Sequence, residues 1–264
     1  MYATNYHRAS SVEEAGRLIA STEDGKYVAG GQTLVATMKQ RLAQPSDLVD
    51  LRHIPSLKGI RVDGRNVTIG AGVTHAEVAS SDLLRSVCPA ICNLAGMIGD
   101  PHVRHLGTIG GSIANNDPAA DYPAAMLGLG ATIVTDRREI AADDFFRGLF
   151  ETALENSEVI TAVRFRAPEK ACYTKFANPA SRFAMTGVFV SKGEGGVRVA
   201  VTGAGSDGVF RHEGMEAALS ANWAPDSVAG VPVDSNDLMA DMHCSAEYRA
   251  NLIRVMTKRA VAAC

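Results

Sequence analysis

The amino-terminal part of the chain alternates between helical and strand-like patterns of apolar residues. Residues 11–20 have one apolar face at helical spacing, and Ser11 with Glu14 makes a capping box at the start of that segment. Short apolar runs at 26–29 and 47–51 are bounded by polar residues and predict strands. This opening part therefore predicts a small β–α–β unit.

The middle of the chain has a different pattern. Residues 60–69 alternate between apolar and polar on both sides of an Asp-Gly pair, which predicts a hairpin with that pair as its turn. Helical segments are predicted within 76–98. A second hairpin over 131–140 and a strand over 159–165 complete this region, so it predicts a sheet accompanied by several helices.

After Pro168 the pattern predicts an antiparallel three-stranded sheet followed by helices. The strands are predicted at 173–177, 184–190 and 197–201, and the helices at 214–220 and 245–262. Because runs of strands and runs of helices are largely segregated along the chain, the predicted fold class is α+β.

Two double-glycine segments stand out against this background. Residues 29–34 read Ala-Gly-Gly-Gln-Thr-Leu before a helix predicted over 33–41, and residues 108–112 read Thr-Ile-Gly-Gly-Ser. Both are predicted to be loops that present main-chain N–H groups to an anion such as a phosphate. The alternative is that each pair only makes a tight turn, where glycine is common. No P-loop lysine follows the first pair, so a flavin dinucleotide is favoured over a nucleoside triphosphate with magnesium.

A polar run follows the second double-glycine segment. Asn115 can donate or accept a hydrogen bond, and Asp121 can accept one from a ribose or ribityl hydroxyl. The competing interpretations are that Asp117 and Pro118 start a turn and that Asp121 caps the helix after it.

A third glycine-rich stretch, 203–208, matches the G-x-G-x-x-G pattern of dinucleotide-binding proteins. It follows a strand of the predicted antiparallel sheet, and no later strand carries an acidic residue about twenty positions on. We therefore predict a turn, with an NAD(P)-binding or interaction protein as the alternative. His102 and His105 lie in a predicted loop without a third ligand nearby, so no metal site is predicted.

Composition excludes several classes of protein. The 264 residues carry a formal net charge of −3, which gives no electrostatic reason to bind nucleic acid. The five cysteines include no Cys-x-x-Cys pair, so they predict a reduced, cytoplasmic protein without its own zinc or iron–sulfur centre. No transmembrane segment and no export signal are predicted.

Five segments match one family in order and spacing as well as in letters. They are AGGQTL at 29–34, MKQRLAQPSDLVDL at 38–51, GTIGGSIANNDPAADYPAAMLGL at 107–129, ENSEVITAVRF at 155–165 and KFANPASRFAMTGVFV at 175–190. In these segments, and over nearly its whole length, the chain resembles the FAD-binding medium subunits of molybdenum hydroxylases. That group contains carbon monoxide dehydrogenase, xanthine dehydrogenase and bacterial N-heterocycle oxidoreductases.

The resemblance implies an FAD-binding domain over 1–170 of the vanillyl-alcohol-oxidase type, with subdomains of about 1–57 and 58–170. A small C-terminal domain over 171–264 follows, made of a three-stranded antiparallel sheet with helices. The residues that the resemblance implies around FAD are Val28, Ala29, Gly30, Gly31, Gln32, Thr33, Leu34, Ile98, Thr108, Ile109, Gly110, Gly111, Asn115, Asp121, Ile160 and Lys175.

The resemblance also implies a role for several of these residues. The 28–34 segment would wrap the pyrophosphate, and Ile98 would pack near the ring system. Ile160 would lie on the adenine or ribityl path, and Lys175 would approach the flavin. The set Thr108, Asn115 and Asp121 would hold phosphate and sugar groups.

Two positions depart from the family's usual residues. Ser112 stands where Asn is common, and Phe183 stands where several relatives have Tyr. The second departure puts in doubt a hydroxyl contact to the ring at that position.

The resemblance finally implies partners. A large subunit would hold molybdopterin and a small subunit two [2Fe–2S] clusters, in a dimer of heterotrimers. This chain would take electrons from the clusters and pass them to an external acceptor. The alternative is a stand-alone flavin-dependent reductase or oxidase of the same FAD-binding superfamily.

Overall fold

The computed structural model describes residues 1–264 and contains three main sheets and one small hairpin. The sheets have three, five and four strands and follow one another along the chain. None of the helices combines the length and the apolar composition needed to cross a membrane.

The first sheet is parallel, with the strand order β1-β3-β2. Its elements are β1 (Asn5–Arg8), α1 (Val12–Ala20), β2 (Gly25–Val28), α2 (Leu34–Lys39) and β3 (Asp47–Asp50). The predicted β–α–β unit is confirmed, and Ser11 caps α1 by accepting a hydrogen bond from the Glu14 N–H. The pattern did not reveal β1, because all four of its residues are polar or aromatic and none is fully buried.

The second sheet has the order β4-β5-β10-β6-β7, so β10 joins the two predicted hairpins by pairing antiparallel with both. Its strands are β4 (Ile60–Asp63), β5 (Asn66–Gly70), β6 (Thr132–Thr135), β7 (Glu139–Ala141) and β10 (Ile160–Arg166). A separate hairpin consists of β8 (Phe146–Gly148) and β9 (Glu151–Thr152).

Seven helices accompany this second sheet. They are α3 (His75–Ser80), α4 (Asp82–Val87), α5 (Pro89–Gly96), α6 (Pro101–Leu106), α7 (Ile109–Asn115), α8 (Tyr122–Leu129) and α9 (Ala142–Phe145). Every residue of α8 is buried, so this helix lies at the centre of the largest core cluster. Two predictions were wrong: the His102–His105 stretch is part of helix α6, and most of the 108–112 segment is the first turn of helix α7.

The third sheet is antiparallel and has the order β11-β12-β13-β14. Its elements are β11 (Lys170–Ala177), β12 (Ala184–Gly193), β13 (Gly196–Gly205), β14 (Gly208–Arg211), α10 (Glu213–Ala221) and α11 (Ala246–Ala263). The α+β fold class is confirmed, but the sheet has a fourth strand beyond the predicted three. The division of the chain into domains stays a prediction.

The G-x-G-x-x-G stretch forms the end of β13, the turn at 206–207 and the start of β14, with Gly205 paired to Gly208, so the predicted turn is confirmed. Gly203 has φ +77°, and a Cβ there would lie 2.3 Å from the Ala184 carbonyl oxygen. These glycines therefore serve the local packing of the sheet.

Candidate functional site

A cavity of about 710 Å³ is lined by segments that accompany all three sheets. Its size is that of pockets for cofactors and other small molecules. The predicted site residues all line this cavity except Ile109 and Lys175. Further lining comes from 71–72, 74–75, 103, 105–107, 154, 158–159 and 181–183. The fold thus brings together the two double-glycine segments, which are far apart in the sequence.

The first double-glycine segment presents free main-chain donors to this cavity. It connects the end of the parallel strand β2 to helix α2, and residues 29–33 belong to neither element. The N–H groups of residues 29–33 make no hydrogen bond to any acceptor in the protein. Residues 29–31 are partly buried, and partly buried N–H groups without partners are costly unless water or a ligand accepts from them. The segment can therefore bind an anion with several hydrogen bonds.

Glycine is required at two positions of this segment for different reasons. A Cβ on Gly30 would lie 2.3 Å from the Leu106 carbonyl oxygen and 2.5 Å from the Cα of Gly107. The two chain segments therefore touch backbone to backbone. Gly31 has φ +69°, a left-handed conformation that favours glycine.

The second double-glycine segment differs from the prediction, because its main-chain N–H groups from Ile109 onward already have acceptors within the protein. The Ile109 and Gly110 N–H groups donate to the carbonyls of Val73 and Ala71, at 3.0 and 2.9 Å. The Gly111 N–H donates to Oγ1 of Thr108, which is the N-cap of α7. The prediction that the two glycines of this segment present free N–H groups was therefore wrong, and among residues 108–112 only the Thr108 N–H has no acceptor. Its glycines instead permit close packing, since a Cβ on Gly110 would lie 2.6 Å from that of Ala71.

The polar run after α7 divides into local and long-range roles. Asp117 accepts from the Ala119 N–H at 2.9 Å, so it forms the predicted turn. The side chain of Asn115 lines the cavity and makes no hydrogen bond within the protein. Asn116, which was not predicted, is buried and donates to the carbonyls of Gly148 and Glu151, so its role is structural.

Asp121 is held by two residues of the third sheet. Its carboxylate accepts from the Tyr173 hydroxyl at 2.5 Å and from the Lys175 ammonium at 3.0 and 3.1 Å. Asp121 begins α8, yet its side chain does not cap the helix, so that interpretation was wrong. The side chains of Asp121 and Lys175 are only 5% and 3% exposed, and Lys175 also donates to the Met97 carbonyl at 3.0 Å.

This buried group has a defined charge arrangement. Burial raises the pKa of the Asp121 carboxyl, and the Lys175 ammonium and Tyr173 hydroxyl oppose that rise. Burial and the neighbouring Asp121 raise the pKa of Tyr173. The Tyr173 hydroxyl therefore stays protonated and donates its hydrogen bond to Asp121. Lys175 is thus buried beneath the cavity wall, and its contact with the flavin stays a prediction.

His75 is a lining residue that the sequence did not single out. Burial, with Arg104 acting in the same direction, lowers its pKa to about 4, so the ring is neutral at pH 7. Its main-chain N–H donates to the Gly107 carbonyl at 2.9 Å, and a Cβ on Gly107 would lie 2.6 Å from Nε2. His75 therefore supports the segment that touches Gly30.

The connection between β11 and β12 reaches the same cavity. Ser181, Arg182 and Phe183 line it, and Arg182 adopts a positive φ of 63°. Phe183, the departure from the usual Tyr, is 48% exposed. The third sheet thus supplies the buried lysine that holds Asp121, and the connection between β11 and β12 adds an exposed aromatic ring to the cavity.

A protein-family comparison decides the identity of this site. Residues 2–168 match the family described as the FAD binding domain in molybdopterin dehydrogenase. The chain belongs to this family. Its cofactor is FAD, as the sequence resemblance implied.

Individual relatives of the family agree along the whole chain. The carbon monoxide dehydrogenase medium chain of Hydrogenophaga pseudoflava is 33% identical, covering 97% of this chain and 95% of its own. The nicotine 6-hydroxylase medium subunit of Paenarthrobacter nicotinovorans is also 33% identical, covering 98% and 96%. A chain of the reconstituted CO dehydrogenase from Oligotropha carboxidovorans superimposes with a TM-score of 0.90 at 32% identity, covering 99% and 97%.

Proposed function

We propose that this chain is the electron-transfer flavoprotein subunit of a multi-subunit molybdenum hydroxylase. It accepts electrons from iron–sulfur clusters on a small partner subunit and passes them to an external acceptor. Substrate is oxidised at a molybdopterin centre on a large subunit, in a dimer of heterotrimers. Since all five cysteines are free thiols, we place the complex in the cytoplasm.

The observation that carries this proposal is the row of unpartnered N–H groups at 29–33. A pyrophosphate offers many acceptor oxygens, and donors to an anion form stronger hydrogen bonds than donors to a neutral group. Thr108 and Asn115 also line the cavity and offer side-chain groups for the phosphates or sugars. This donor set fits the diphosphate part of FAD.

The protein's contribution is to hold and orient the cofactor, while FAD, when bound, supplies the electron exchange. The segment 29–34 would fix the pyrophosphate, and Ile98 and Phe183 would offer apolar contacts to the ring. Lys175 donates to the carbonyl of Met97, the residue before Ile98. Lys175 would therefore position both Asp121, through the ion pair, and Ile98, through the bond to its neighbour Met97.

The proposal is tested by purifying the native complex through a tag on this chain. We expect a flavin absorption spectrum together with stoichiometric molybdenum and iron, carried by two additional polypeptides. FAD without molybdenum and iron would contradict the subunit role and favour the stand-alone reductase or oxidase. NAD(P) binding without flavin would contradict the cofactor site itself.

Electron flow is tested in the same complex under anaerobic conditions. Oxidisable substrate should bleach the flavin absorbance after the iron–sulfur signals have changed. A complex reconstituted with Gly30→Ala chain should still reduce its clusters but show little flavin bleaching. Flavin bleaching by substrate in the isolated chain would contradict the proposed route.

A further inference from the structure

The imidazole of His75 is a buried polar group in the wall of the cavity. His75 is the first residue of α3, lines the cavity and is only 5% exposed. Nδ1 of its ring is completely enclosed and has no hydrogen-bond partner. Nε2 is not enclosed in this way, and it lies on the Gly107 side of the ring. One ring nitrogen is therefore shut off, while a molecule in the cavity can reach the other.

The burial of Nδ1 decides which ring nitrogen carries the proton. Burial lowers the pKa of His75 to about 4, so the ring is neutral at pH 7 and carries a single N–H. A proton on Nδ1 would be a buried donor without an acceptor, which is rare and costly. A proton on Nε2 is open to an acceptor in the cavity. The Nε2–H tautomer is therefore the favoured one.

The neighbouring Tyr122 favours the same tautomer. Its ring lies beside the His75 ring, with the centroids 5.3 Å apart. The Tyr122 hydroxyl is buried without a partner, and burial raises its pKa, so it keeps its proton. This enclosed region therefore already contains one donor without an acceptor, and a proton on Nδ1 would add a second. A bare Nδ1 supplies an acceptor instead.

Gly107 connects the His75 ring to the free N–H groups at 29–33. The main-chain N–H of His75 donates to the Gly107 carbonyl at 2.9 Å, and a Cβ on Gly107 would lie 2.6 Å from Nε2. Gly107 in turn touches Gly30, whose Cβ would lie 2.5 Å from the Gly107 Cα. Only the backbone of Gly107 therefore stands between the His75 ring and the segment that can bind an anion.

Given the proposed binding of FAD in this cavity, we propose that His75 donates a hydrogen bond from Nε2 to a phosphate oxygen of FAD. Phosphate oxygens are strong acceptors, so they pair with an Nε2–H and not with a bare Nε2. A hydrogen bond to a charged acceptor is also stronger than one to a neutral acceptor. His75 thus adds a side-chain donor to the main-chain donors at 29–33.

The position of the proton is tested by nitrogen NMR of the full chain, freed of flavin and labelled with isotopic nitrogen in its histidine rings. The chain has seven histidines, and the signals missing from a His75→Gln chain identify those of His75. We expect a protonated Nε2 and a bare Nδ1 at pH 7, with a shift of the Nε2 signal when FAD is added. A proton on Nδ1, or an Nε2 signal that does not change as FAD binds, would overturn the proposal.

Two substitutions of His75 separate its hydrogen bond from its packing. His75→Leu removes the donor and should weaken FAD binding about 10–100-fold, the effect of losing one hydrogen bond to a charged group. His75→Gln places an amide N–H near the position of Nε2, so it should bind FAD nearly as tightly as the wild type. Equal losses in the two variants would indicate packing alone and would overturn the proposal.

The control is His102→Leu, since His102 is exposed on α6 and does not line the cavity. This variant should keep the wild-type Kd for FAD. A His75→Leu chain with the wild-type Kd would overturn the role of His75 and leave the FAD site itself in place. A wild-type chain that binds no FAD would instead contradict the proposed use of the cavity.

Discussion

The backbone contact at Gly30 is the most direct test of how the FAD site is built. In a Gly30→Ala variant, the new Cβ would lie 2.3 Å from the Leu106 carbonyl oxygen and 2.7 Å from its carbon. Ordinary contacts begin near 3.4 Å, so the two segments would have to separate by roughly 1 Å. Neither side can relieve the overlap by rotating a side chain, because both contacting groups are backbone.

The separation has two consequences of different size. Overpacking of this kind costs about 1–3 kcal/mol of unfolding free energy. It would also misalign the 29–33 N–H groups with a ligand held against Thr108. Losing one or two hydrogen bonds to a charged group, at about 1.5–3 kcal/mol each, weakens binding about 10–100-fold or more.

The assay is titration of the deflavinated chain with FAD, together with urea unfolding of the same preparation. Gly16→Ala is the matched control, since that glycine lies within helix α1 and a Cβ there meets nothing within 4 Å. It should leave the Kd for FAD unchanged and stabilise the chain by about 0.5–1 kcal/mol. A Gly30→Ala chain with the wild-type Kd and wild-type stability would refute the reasoning.

Three further predictions concern groups around the cavity. Lys175→Met leaves the Asp121 carboxylate buried without its cation, so urea unfolding should show an unfolding free energy lower by about 3–5 kcal/mol. The flavin absorption spectrum should show a lower FAD occupancy, and unchanged values of both would exclude this role of Lys175. Thr108→Ala removes the N-cap of α7 and should cost about 1 kcal/mol in the same assay, with Thr108→Ser close to wild type. The hydrogen bond from Arg138 lowers the pKa of Glu158 from 4.5 to about 2, so its contribution to stability is full above the unfolded pKa and is lost as pH falls from about 5 to 2. Urea midpoints over that range should fall more steeply for the wild type than for Glu158→Gln, and parallel curves would contradict the assignment.

The sequence was sufficient for what depends on local pattern. The hairpins, the capped helix α1 and the double-glycine segment after β2 all follow from residues close together in the chain. Tyr173 did not, because it reads as an ordinary strand residue and its partner Asp121 lies 52 positions away. Only the alternation of β11 and its packing against the start of α8 make Tyr173 and Lys175 point to the same carboxylate. His75 was hidden for the same reason, since its contact with Gly107 comes from the packing of α3 on α6.

The two double-glycine segments show why sequence alone could not assign their separate roles. Both contain adjacent glycines with small or polar neighbours, and both line one cavity. In the segment 29–33 the N–H groups are free, whereas at 109–111 the donors are taken by Val73, Ala71 and Thr108. Glycine thus permits close packing in both segments, while only the first segment leaves a row of N–H groups free for a ligand. Gly30 touches Leu106 and Gly107, which come just before the second segment. This backbone contact fixes the position of the free N–H groups at 29–33 relative to the second segment.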